Sequence, residues 1–428
     1  MKKVGIISLG CAKNLVDSEN ILGLLDKDKY VIVNNVKDAD YIFVNTCGFI
    51  ESSKRESINT ILEMCSYHKK VFVLGCLVQR YKEELEKEIP EVVRFIPIRE
   101  YFHLNDILSQ VDEELNESGG VDDKYRIVST GSFSAYLKIG EGCDNRCSYC
   151  AIPLIRGGFV SRPYEDIIIE ANKLAKKGYK ELIVLEQDTT KYGIDLHNGE
   201  NIVKLLKGLL EIKELDYIRL LYLYPDEISD ELIDLIAKEK RLTPYFDIPI
   251  QHSEDSILKA MHRRGSKDFL RQLFKKIRDK VPHAVIRTTV MVGFPGETEK
   301  DFKNLKSFIE EIGFDHLGAF TYSREEGTAS YDFPHQVRES TKQRRLDEIM
   351  ELQQKISFER NQKHIGEEME GLIVGEEDGQ YLFRSYWNAP DDVDGNIYIK
   401  KDKDVAIGEK VKVKIDQAFV YDLIGHLL

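Results

Sequence analysis

Three cysteines near the middle of the chain constrain its fold and chemistry more than any other feature. Cys143, Cys147 and Cys150 have the spacing C-x3-C-x2-C and lie in a glycine-rich loop. Soft thiolates at such a spacing bind zinc or iron–sulfur clusters. A structural zinc needs four protein ligands, and the next histidine, His197, is too distant to belong to the loop. Three thiolates on a four-iron cluster leave one iron open for another ligand; a zinc site and chance core cysteines are the alternatives.

The loop resembles the motif of the radical S-adenosylmethionine (SAM) superfamily, in which an aromatic residue precedes the last cysteine. Tyr149 has that position, and the resemblance implies that it lies near the adenine of SAM. Residues 292–298 (VGFPGET) follow an apolar run and are similar to the family's segment near bound SAM, which makes Gly293 a candidate as well. The resemblance implies that an electron from the cluster cleaves SAM, a radical chemistry that side chains cannot perform.

The first third of the chain predicts a second site with three thiolates. Short apolar stretches alternate with helical patterns, which indicates a parallel α/β sheet. Cys11, Cys47 and Cys76 each come just after one of the predicted strands. Because ligands bind at the carboxyl edge of such a sheet, we expect these thiolates to meet there and hold a second cluster. The alternative is three cysteines buried in the core.

Strand–helix alternation returns between residues 135 and 324 and predicts a partial (βα)6 barrel, whose active face is the carboxyl end of its strands. Polar residues that fall at these ends are Glu186, Gln187, Asp188, Thr189, Tyr224, Gln251 and His252. The superfamily often has Gly-Gly-Glu after the second strand to bind the amino group of SAM. This chain has Leu-Glu-Gln-Asp there, and Gln187 and Asp188 are our candidates for cofactor binding.

Arg287, inside the fifth predicted barrel strand, is our candidate for the SAM carboxylate, because its forked donors match that group. His252 could carry a proton, but a structural role explains it more simply. No residue is identified as a catalytic acid or base.

The last part of the chain predicts a small antiparallel β-barrel. From residue 366 onwards, apolar and polar residues alternate in short stretches between glycine turns. This segment has 14 acidic and 7 basic residues. A barrel that binds RNA needs a basic surface or stacking residues, so the negative charge favours a basic protein as partner. Residues 337–364 predict a long helix packed on the central barrel, with Arg344 and Arg345 on its solvated face.

The length, cysteine count and charge of the chain limit the kinds of protein it can be. A chain of 428 residues is long enough for two or three domains, which we place at 1–122, 123–365 and 366–428, with an acidic linker at 112–123. No apolar run reaches the length of a membrane span, and an odd number of cysteines argues against a disulfide framework, so we expect a cytoplasmic protein. The net charge of −13 argues against a large nucleic-acid interface.

Essentially the whole chain resembles the methylthiotransferases. These proteins combine a methylthiotransferase domain, a radical SAM domain and a TRAM domain, and the three N-terminal cysteines match the ligands of their second 4Fe–4S cluster. Residues 8–14, 187–193 and 384–390 are similar to the branch that modifies an aspartate of small-subunit ribosomal protein S-twelve. The expected fold is an N-terminal parallel α/β sandwich, a central partial (βα)6 radical SAM barrel and a C-terminal antiparallel TRAM barrel.

The resemblance implies a methylthio transfer with two 4Fe–4S clusters and two SAM molecules per turnover. One SAM methylates a sulfur held at the second cluster. Cleavage of the other yields a 5′-deoxyadenosyl radical, which removes a hydrogen from the β-carbon of the aspartate. The implied partners are S-twelve, bound through the TRAM domain, and a low-potential electron donor, a flavodoxin or ferredoxin.

Three other interpretations stay open on the sequence. A sister branch of the family methylthiolates an adenosine of tRNA by the same chemistry. The N-terminal cysteines could be purely structural parts of a radical SAM enzyme. The chain could also be a non-enzymatic iron–sulfur or zinc module that binds the ribosome.

Overall fold

The computed structural model describes residues 1–111, 126–129, 131, 133–281, 283–390 and 393–428, so the predicted linker at 112–123 lies outside it. The chain begins with a parallel five-stranded sheet in the order β2-β1-β3-β4-β5. The strands are β1 (Lys2–Ser8), β2 (Tyr30–Ile32), β3 (Tyr41–Thr46), β4 (Lys70–Gly75) and β5 (Arg94–Ile96). The helices around them are α1 (Ala12–Leu24), α2 (Glu51–Cys65), α3 (Cys76–Glu88) and α4 (Leu104–Val111).

The three strands predicted in this region are β1, β3 and β4, and the parallel α/β layer is confirmed. Two further strands, β2 and β5, form the edges of the sheet. Each has three residues, one of them exposed, so neither shows a clear apolar stretch in the sequence. The central strand β3 is buried along its whole length, and Phe43 meets Phe72 of β4 edge to face at 5.3 Å between ring centres.

The middle of the chain contains six parallel strands, arranged as two sheets of three in the orders β10-β9-β6 and β11-β12-β13, and a short antiparallel ribbon, β7-β8. The strands are β6 (Ser134–Lys138), β7 (Gly140–Glu141), β8 (Val160–Ser161), β9 (Glu181–Leu185), β10 (Tyr217–Leu220), β11 (Tyr245–Asp247), β12 (Val285–Val292) and β13 (His316–Thr321). The helices are α5 (Ile152–Arg156), α6 (Tyr164–Lys176), α7 (Ile202–Leu210), α8 (Asp230–Lys238), α9 (Asp255–Ala260), α10 (Lys267–Lys280) and α11 (Glu299–Ile312).

Backbone contacts join the two halves of this region. Ile218 pairs with Leu242 as an isolated parallel bridge, and the amide of Leu223 donates to the carbonyl of Asp247 at 2.8 Å. The six strands therefore form one open, curved wall, and the predicted partial (βα)6 barrel is confirmed. Short 3₁₀ turns lie at Val36–Asp38, Ile98–His103, Thr189–Lys191, Pro225–Glu227 and Ala329–Asp332.

The predicted long helix is α12 (Glu339–Gln362). Its arginine pair was expected on the solvated face, and this expectation is wrong for Arg345. The side chain of Arg344 is 47% exposed, whereas that of Arg345 is only 4% exposed and lies 3.2 Å from the carboxylate of Glu297. Successive residues on a helix point about 100° apart, so one member of the pair turns toward the central barrel.

The chain ends in a closed five-stranded barrel with the order β14-β15-β16-β18-β17, as predicted. The strands are β14 (Glu368–Glu377), β15 (Gln380–Arg384), β16 (Ile397–Lys400), β17 (Lys410–Ala418) and β18 (Leu423–Leu427). The pair β16–β18 is parallel and the other four pairs are antiparallel. Closure pairs both edges of each described strand of this barrel, so none of these edges is left to pair with another chain.

Residues 385–390, which follow β15, and Asp394 pack against the amino-terminal end of the central barrel. Trp387 and Ala389 share one apolar core with Tyr136 and Ile183, which belong to central strands β6 and β9. The buried carboxylate of Asp394 accepts a hydrogen bond from the hydroxyl of Tyr245, the first residue of β11, at 2.5 Å. The carboxyl ends of the strands form the opposite end, the barrel mouth, where Lys138 at the end of β6 contacts Asp17 of α1. Among the residues described, no helix combines the length and the apolar character needed to cross a membrane.

Candidate active site

Three strands of the first sheet each lead into a cysteine. Cys11 follows β1, Cys47 follows β3, and Cys76 follows β4 as the first residue of α3; these strands are neighbours in the sheet. We call these residues the N-terminal cysteine set. Burial raises the pKa of Cys47 and raises that of Cys76 to about 11, and charge repulsion from the neighbouring thiols of the set adds to both shifts. The structure therefore brings together three thiols that are far apart in the sequence.

Close backbone packing holds the turns of this set together. Gly75 has a φ of +98°, and a Cβ atom there would lie 2.4 Å from the carbonyl oxygen of Thr46. Gly10 has a φ of +86°, and its Cβ would lie 2.8 Å from the Cβ of Cys47. Any larger residue would thus force neighbouring loops apart, and both positions have the left-handed backbone that favours glycine.

Buried polar side chains fix the same turns. The Nδ2 atom of Asn14 donates to the carbonyl oxygens of Leu9 and Thr46, both at 2.9 Å. The Nδ2 atom of Asn45 donates to the carbonyl of Asn14 at 2.8 Å and to the hydroxyl of Ser18 at 2.9 Å. A buried network whose members are hydrogen-bonded to one another gives the turns one defined arrangement.

The second group of thiols lies on the loop after β7, and we call Cys143, Cys147 and Cys150 the loop cysteine set. Gly142 precedes it with a φ of +76°, and a Cβ atom there would lie 2.0 Å from the carbonyl oxygen of Gly158. Burial raises the pKa of Cys143 to about 11 and that of Cys150 to about 12, and the charge of Cys147 adds to both shifts. These three thiols are therefore also close together.

Both sets fit an iron–sulfur cluster by the chemistry of their donors. Burial makes a thiolate unfavourable, and it raises the pKa of two thiols in each set, so a bound positive group favours their ionised form. No three or more His, Cys, Asp or Glu side chains in the described part of the chain converge like the ligands of a single metal ion. A cluster requires a wider arrangement, since each thiolate binds a different iron.

The two residues assigned to SAM by resemblance lie in one region at the barrel mouth. Tyr149 is buried in an apolar cluster with Met291 and Phe294, the neighbours of the Gly293 turn. The amides of Gly293 and Phe294 both donate to the carboxylate of Glu297. The structure thus places the loop cysteine set, Tyr149 and the 292–298 segment side by side at the carboxyl ends of the strands.

The candidates Gln187 and Asp188 lie directly beyond β9. Asp188 is buried and accepts hydrogen bonds from the side-chain Nδ2 atom of Asn145 at 2.7 Å and from the hydroxyl of Thr190 at 2.6 Å. It therefore helps to fix the cysteine loop, to which Asn145 belongs. The Oε1 atom of Gln187 is buried and has no hydrogen-bond partner among the described residues.

The candidate Arg287 lies in a different environment from the other candidates. Its Nη1 donates to Asp247 at 2.9 Å and its Nε to Asp394 of the terminal barrel at 3.2 Å. Burial alone would lower the pKa of Arg287, but Asp247, Tyr245 and Asp394 outweigh burial and raise it. The guanidinium is thus engaged by carboxylates of the protein itself, toward the end of the barrel that the terminal barrel seals.

Two residues that the sequence placed at the mouth without a binding role stand out in the structure. Glu186 is buried, and neither of its carboxylate oxygens has a partner among the described residues. Burial raises the pKa of this carboxyl to about 7. Gln251 also has an unpartnered buried Oε1, and its φ is +68°, a strained backbone of the kind that clusters at functional sites. Their signal in the sequence was their position just after a strand.

These unpartnered acceptors fit a SAM molecule. Glu186, Gln187 and Gln251 all follow strands of the central barrel and carry buried oxygens without protein donors among the described residues. Such oxygens can accept hydrogen bonds from the ammonium and hydroxyl groups of SAM. A buried acceptor without a donor destabilises the folded protein. The mouth therefore has the polar groups that a SAM site requires.

Comparison with protein families divides the chain into three matching parts. Residues 3–96 match the model described as Uncharacterized protein family UPF0004, residues 137–309 match the Radical SAM superfamily, and residues 365–428 match the TRAM domain. The first match spans the N-terminal cysteine set, and the second spans the loop cysteine set.

Curated relatives match the chain along its whole length. The protein named ribosomal protein uS12 methylthiotransferase RimO from Alkaliphilus oremlandii is 48% identical and covers 99% of this chain and 98% of its own. Proteins of the same name from Clostridioides difficile and Aquifex aeolicus are 46% and 48% identical, each over at least 97% of both chains.

Solved structures with the same fold are more distant. The radical SAM methyltransferase TsrM from Kitasatospora setae, with cobalamin and an iron–sulfur cluster bound, covers 95% of this chain with a TM-score of 0.54 and 13% identity. The cobalamin-dependent radical enzyme OxsB covers 82% with a TM-score of 0.53 and 12% identity. At such identities the likeness supports the fold alone.

Proposed function

This chain belongs to the RimO family of ribosomal protein uS12 methylthiotransferases, and from that membership we propose that it adds a methylthio group to the β-carbon of an aspartate of uS12. The observation that carries the proposal is identity near one half along the entire chain to proteins of that name. The chain is thus a radical SAM enzyme, as the resemblance of its sequence implied, and the tRNA-modifying branch is not favoured.

The cofactors of the reaction would be held by residues already described. The loop cysteine set would bind the 4Fe–4S cluster that meets SAM, and the N-terminal cysteine set would bind a second 4Fe–4S cluster; two SAM molecules are used in each turnover. When bound, the clusters and SAM supply the electron, the radical and the methylated sulfur that side chains cannot provide. The proximity of the thiols within each set supports this assignment.

The protein's own part in the reaction is to bind and orient. Tyr149 would pack against the adenine of SAM, and Gly293 would let the backbone of its turn approach the cofactor. Gln187 and Glu186 would accept hydrogen bonds from the polar groups of SAM, because their oxygens lack donors in the described part of the chain. Asp188 would hold the cysteine loop through Asn145. Arg287 would stabilise the other end of the barrel, where its ion pairs with Asp247 and Asp394 join β12 to β11 and to the terminal barrel.

The partners follow from the family and from charge. We infer that uS12 docks through the TRAM domain, since this acidic barrel complements a basic ribosomal protein. A low-potential flavodoxin or ferredoxin would deliver the electron. Work on a ribosomal protein favours a cytoplasmic location, and the domains would divide near residues 122 and 365, between the segments that match separate families.

The intact mass of uS12 tests the proposed function directly. We would compare uS12 from cells with and without this gene, and from cells in which the gene carries Cys143→Ala. We expect a methylthio increment on uS12 only when the native gene is present. Fragmentation of the protein should place the increment on an aspartate.

Two outcomes would contradict the proposal. An unchanged uS12 mass together with loss of a methylthioadenosine from tRNA would assign the chain to the tRNA substrate instead. A methylthio increment that persists in the Cys143→Ala strain would mean that another protein performs the reaction.

A further inference from the structure

Arg156 connects the two cysteine sets. It is the last residue of α5, which starts directly after the cysteine loop, and its side chain is only 1% exposed. Its Nη2 atom lies 3.5 Å from the Sγ atom of Cys76 and donates to Oδ1 of Asn14 at 2.7 Å and to Oδ2 of Asp17 at 2.9 Å. A residue that follows the loop cysteine set thus reaches a sulfur of the N-terminal cysteine set.

The helix that carries Arg156 packs against the same sulfur-bearing residue. Ala151 and Ile155 form a small apolar cluster with Cys76. Because Ala151 immediately follows Cys150, the position of one cysteine set limits the position of the other. Helix α5 is therefore a short rigid link between the two sets.

Carboxylates hold the guanidinium of Arg156 in place. Its Nη1 donates to both oxygens of Glu141, at 3.0 and 3.1 Å. Lys138 in turn contacts Asp17 at 2.5 Å and Glu141 at 2.9 Å. Two cations alternate with two carboxylates, so the guanidinium is fixed without any need for a charge on Cys76.

Two polar side chains lie beside the sulfur of Cys76: Asn14 presents its oxygen, and Arg156 presents an N–H donor. The Nδ2 atom of Asn14 is used by the carbonyls of Leu9 and Thr46, so its Oδ1 atom is the one turned toward Cys76, at 3.5 Å from the sulfur. When Cys76 binds iron as a thiolate it has no proton to donate to this oxygen. The two N–H bonds of Nη2 serve three acceptors, the oxygens of Asn14 and Asp17 and the sulfur of Cys76, so one N–H is shared with the sulfur.

We propose that Arg156 is a positioning residue of the N-terminal cluster, which donates a hydrogen bond to the sulfur of Cys76 and raises the reduction potential of that cluster. The inference rests on the proposed function, because it needs a cluster at the N-terminal cysteine set. A hydrogen bond or positive charge beside a cluster sulfur raises the potential, since it stabilises the more negative, reduced state.

The loop cysteine set has a more distant counterpart. Arg263 has its Nη1 atom 3.9 Å from the Sγ atom of Cys147, and its Nη2 atom donates to the carbonyl of Pro249 at 2.5 Å. Each cysteine set thus has its own buried arginine, at 3.5 Å from a sulfur in the N-terminal set and at 3.9 Å in the loop set. This pair provides a matched control for the experiment.

The test uses the full chain with Cys143→Ala, Cys147→Ala and Cys150→Ala, so that only the N-terminal cluster forms. The midpoint potential would be followed by electron paramagnetic resonance during an anaerobic redox titration, with Arg156 native or replaced as Arg156→Gln or Arg156→Lys. We expect Arg156→Gln to lower the one-electron reduction equilibrium constant about tenfold, which is about 59 mV to more negative potential. Arg156→Lys should give a midpoint potential between those of the native and Arg156→Gln proteins. Arg263→Gln should leave the midpoint potential of this cluster unchanged.

Each result distinguishes between the two proposals. If no cluster forms with native Arg156, the second cluster of the proposed function is wrong. If the cluster forms and Arg156→Gln leaves its potential unchanged, Arg156 only bridges the two parts of the fold. If Arg156→Gln binds no iron, the Arg156→Lys variant becomes the test, and a midpoint potential more negative than the native one supports the proposal. A native potential with a lower unfolding temperature of the apoprotein overturns it.

Discussion

At the scale of single residues, buried polar groups at the mouth determine how the site responds to pH. Glu186 is buried without a hydrogen-bonding partner among the described residues, and burial raises the pKa of its carboxyl from 4.5 to about 7. A raised carboxyl pKa means that the folded protein binds this proton more tightly than the unfolded chain does. The protein is therefore destabilised as pH rises from the unfolded pKa toward and through the folded one.

We predict that Glu186→Gln removes this pH-dependent loss of stability. Between pH 5 and pH 8, the free energy of unfolding of Glu186→Gln should rise relative to that of the native protein by about 3 kcal/mol. Urea denaturation of the SAM-free protein at several pH values measures the difference. Glu310→Gln, at an exposed glutamate of α11, is the control. Parallel pH profiles for the native protein and Glu186→Gln would contradict the prediction.

Gly142 gives a second prediction at this scale. A Cβ at this position would overlap the backbone oxygen of Gly158 at 2.0 Å, so Gly142→Ala must displace the start of the cysteine loop. We expect the anaerobically reconstituted protein to lose about half of its iron, since one of two clusters cannot form. Gly178→Ala is the control, because Gly178 also has a positive φ but nothing within 4 Å of its Cβ position. Equal iron content in both variants would refute the steric argument.

At the scale of elements, α12 packs against residues 292–298, the segment assigned to SAM by resemblance. The side chain of Lys342 lies against Gly293, 2.3 Å from where a Cβ would be, and its Nζ donates to the carbonyl of Tyr322 at 2.9 Å. The next turn of the helix places Arg345 beside Glu297. Glu297 accepts hydrogen bonds from the backbone of the Gly293 turn, so the helix and the turn are mechanically joined.

We predict that Arg345→Met destabilises the protein by about 3 kcal/mol at pH 8, because it leaves a buried carboxylate without its cation. Burial already raises the pKa of Glu297 to about 7 despite Arg345, so the effect should shrink at pH 6, where the carboxyl can be neutral. Arg344→Met, one residue away and exposed, should cost less than about 1 kcal/mol. Urea denaturation compares them, and similar losses for both variants would contradict the role given to Arg345.

At the scale of the whole molecule, Asp394 fastens the terminal barrel to the central one. It accepts hydrogen bonds from Tyr245 and Arg287, and His316 lies 3.9 Å away. Burial would raise the pKa of Asp394, but His316 and Arg287 outweigh burial and hold it below its usual range. This stabilisation is present above the ordinary pKa of 3.8 and is lost as pH falls through the lower folded value.

We predict that Asp394→Asn weakens the docking of the terminal barrel by about 3 kcal/mol at neutral pH, since it removes one member of a buried charge network. Hydrogen exchange at β14–β18 should become faster, while exchange in the first sheet stays unchanged. Asp416→Asn, at an exposed partner of His426 in the same barrel, should have no such effect. Unaltered exchange in Asp394→Asn would show that apolar packing around Trp387 suffices to hold the barrels together.

Much of this architecture could be predicted from local patterns. The six strands of the central barrel and the five of the terminal barrel have clear apolar periodicity, and both cysteine sets were identified from spacing or from their places after strands. The edge strands β2 and β5 were missed because each has only three residues and one of them is exposed, whereas the three-residue strand β11 is buried throughout. Arg345 was assigned to the wrong face, because sequence periodicity shows that a face exists but not how far it extends.

The family, the order of the three folded parts and the thiols available for clusters can be predicted from the sequence, because they depend on motifs and periodicities that neighbouring residues carry. Which charged groups meet depends on the tertiary structure. Arg287 pairs with Asp394, which is 107 residues away, and Arg156 reaches Asn14 across 142 residues. Such pairings depend on how barrels and sheets pack against one another, and no local pattern records that packing.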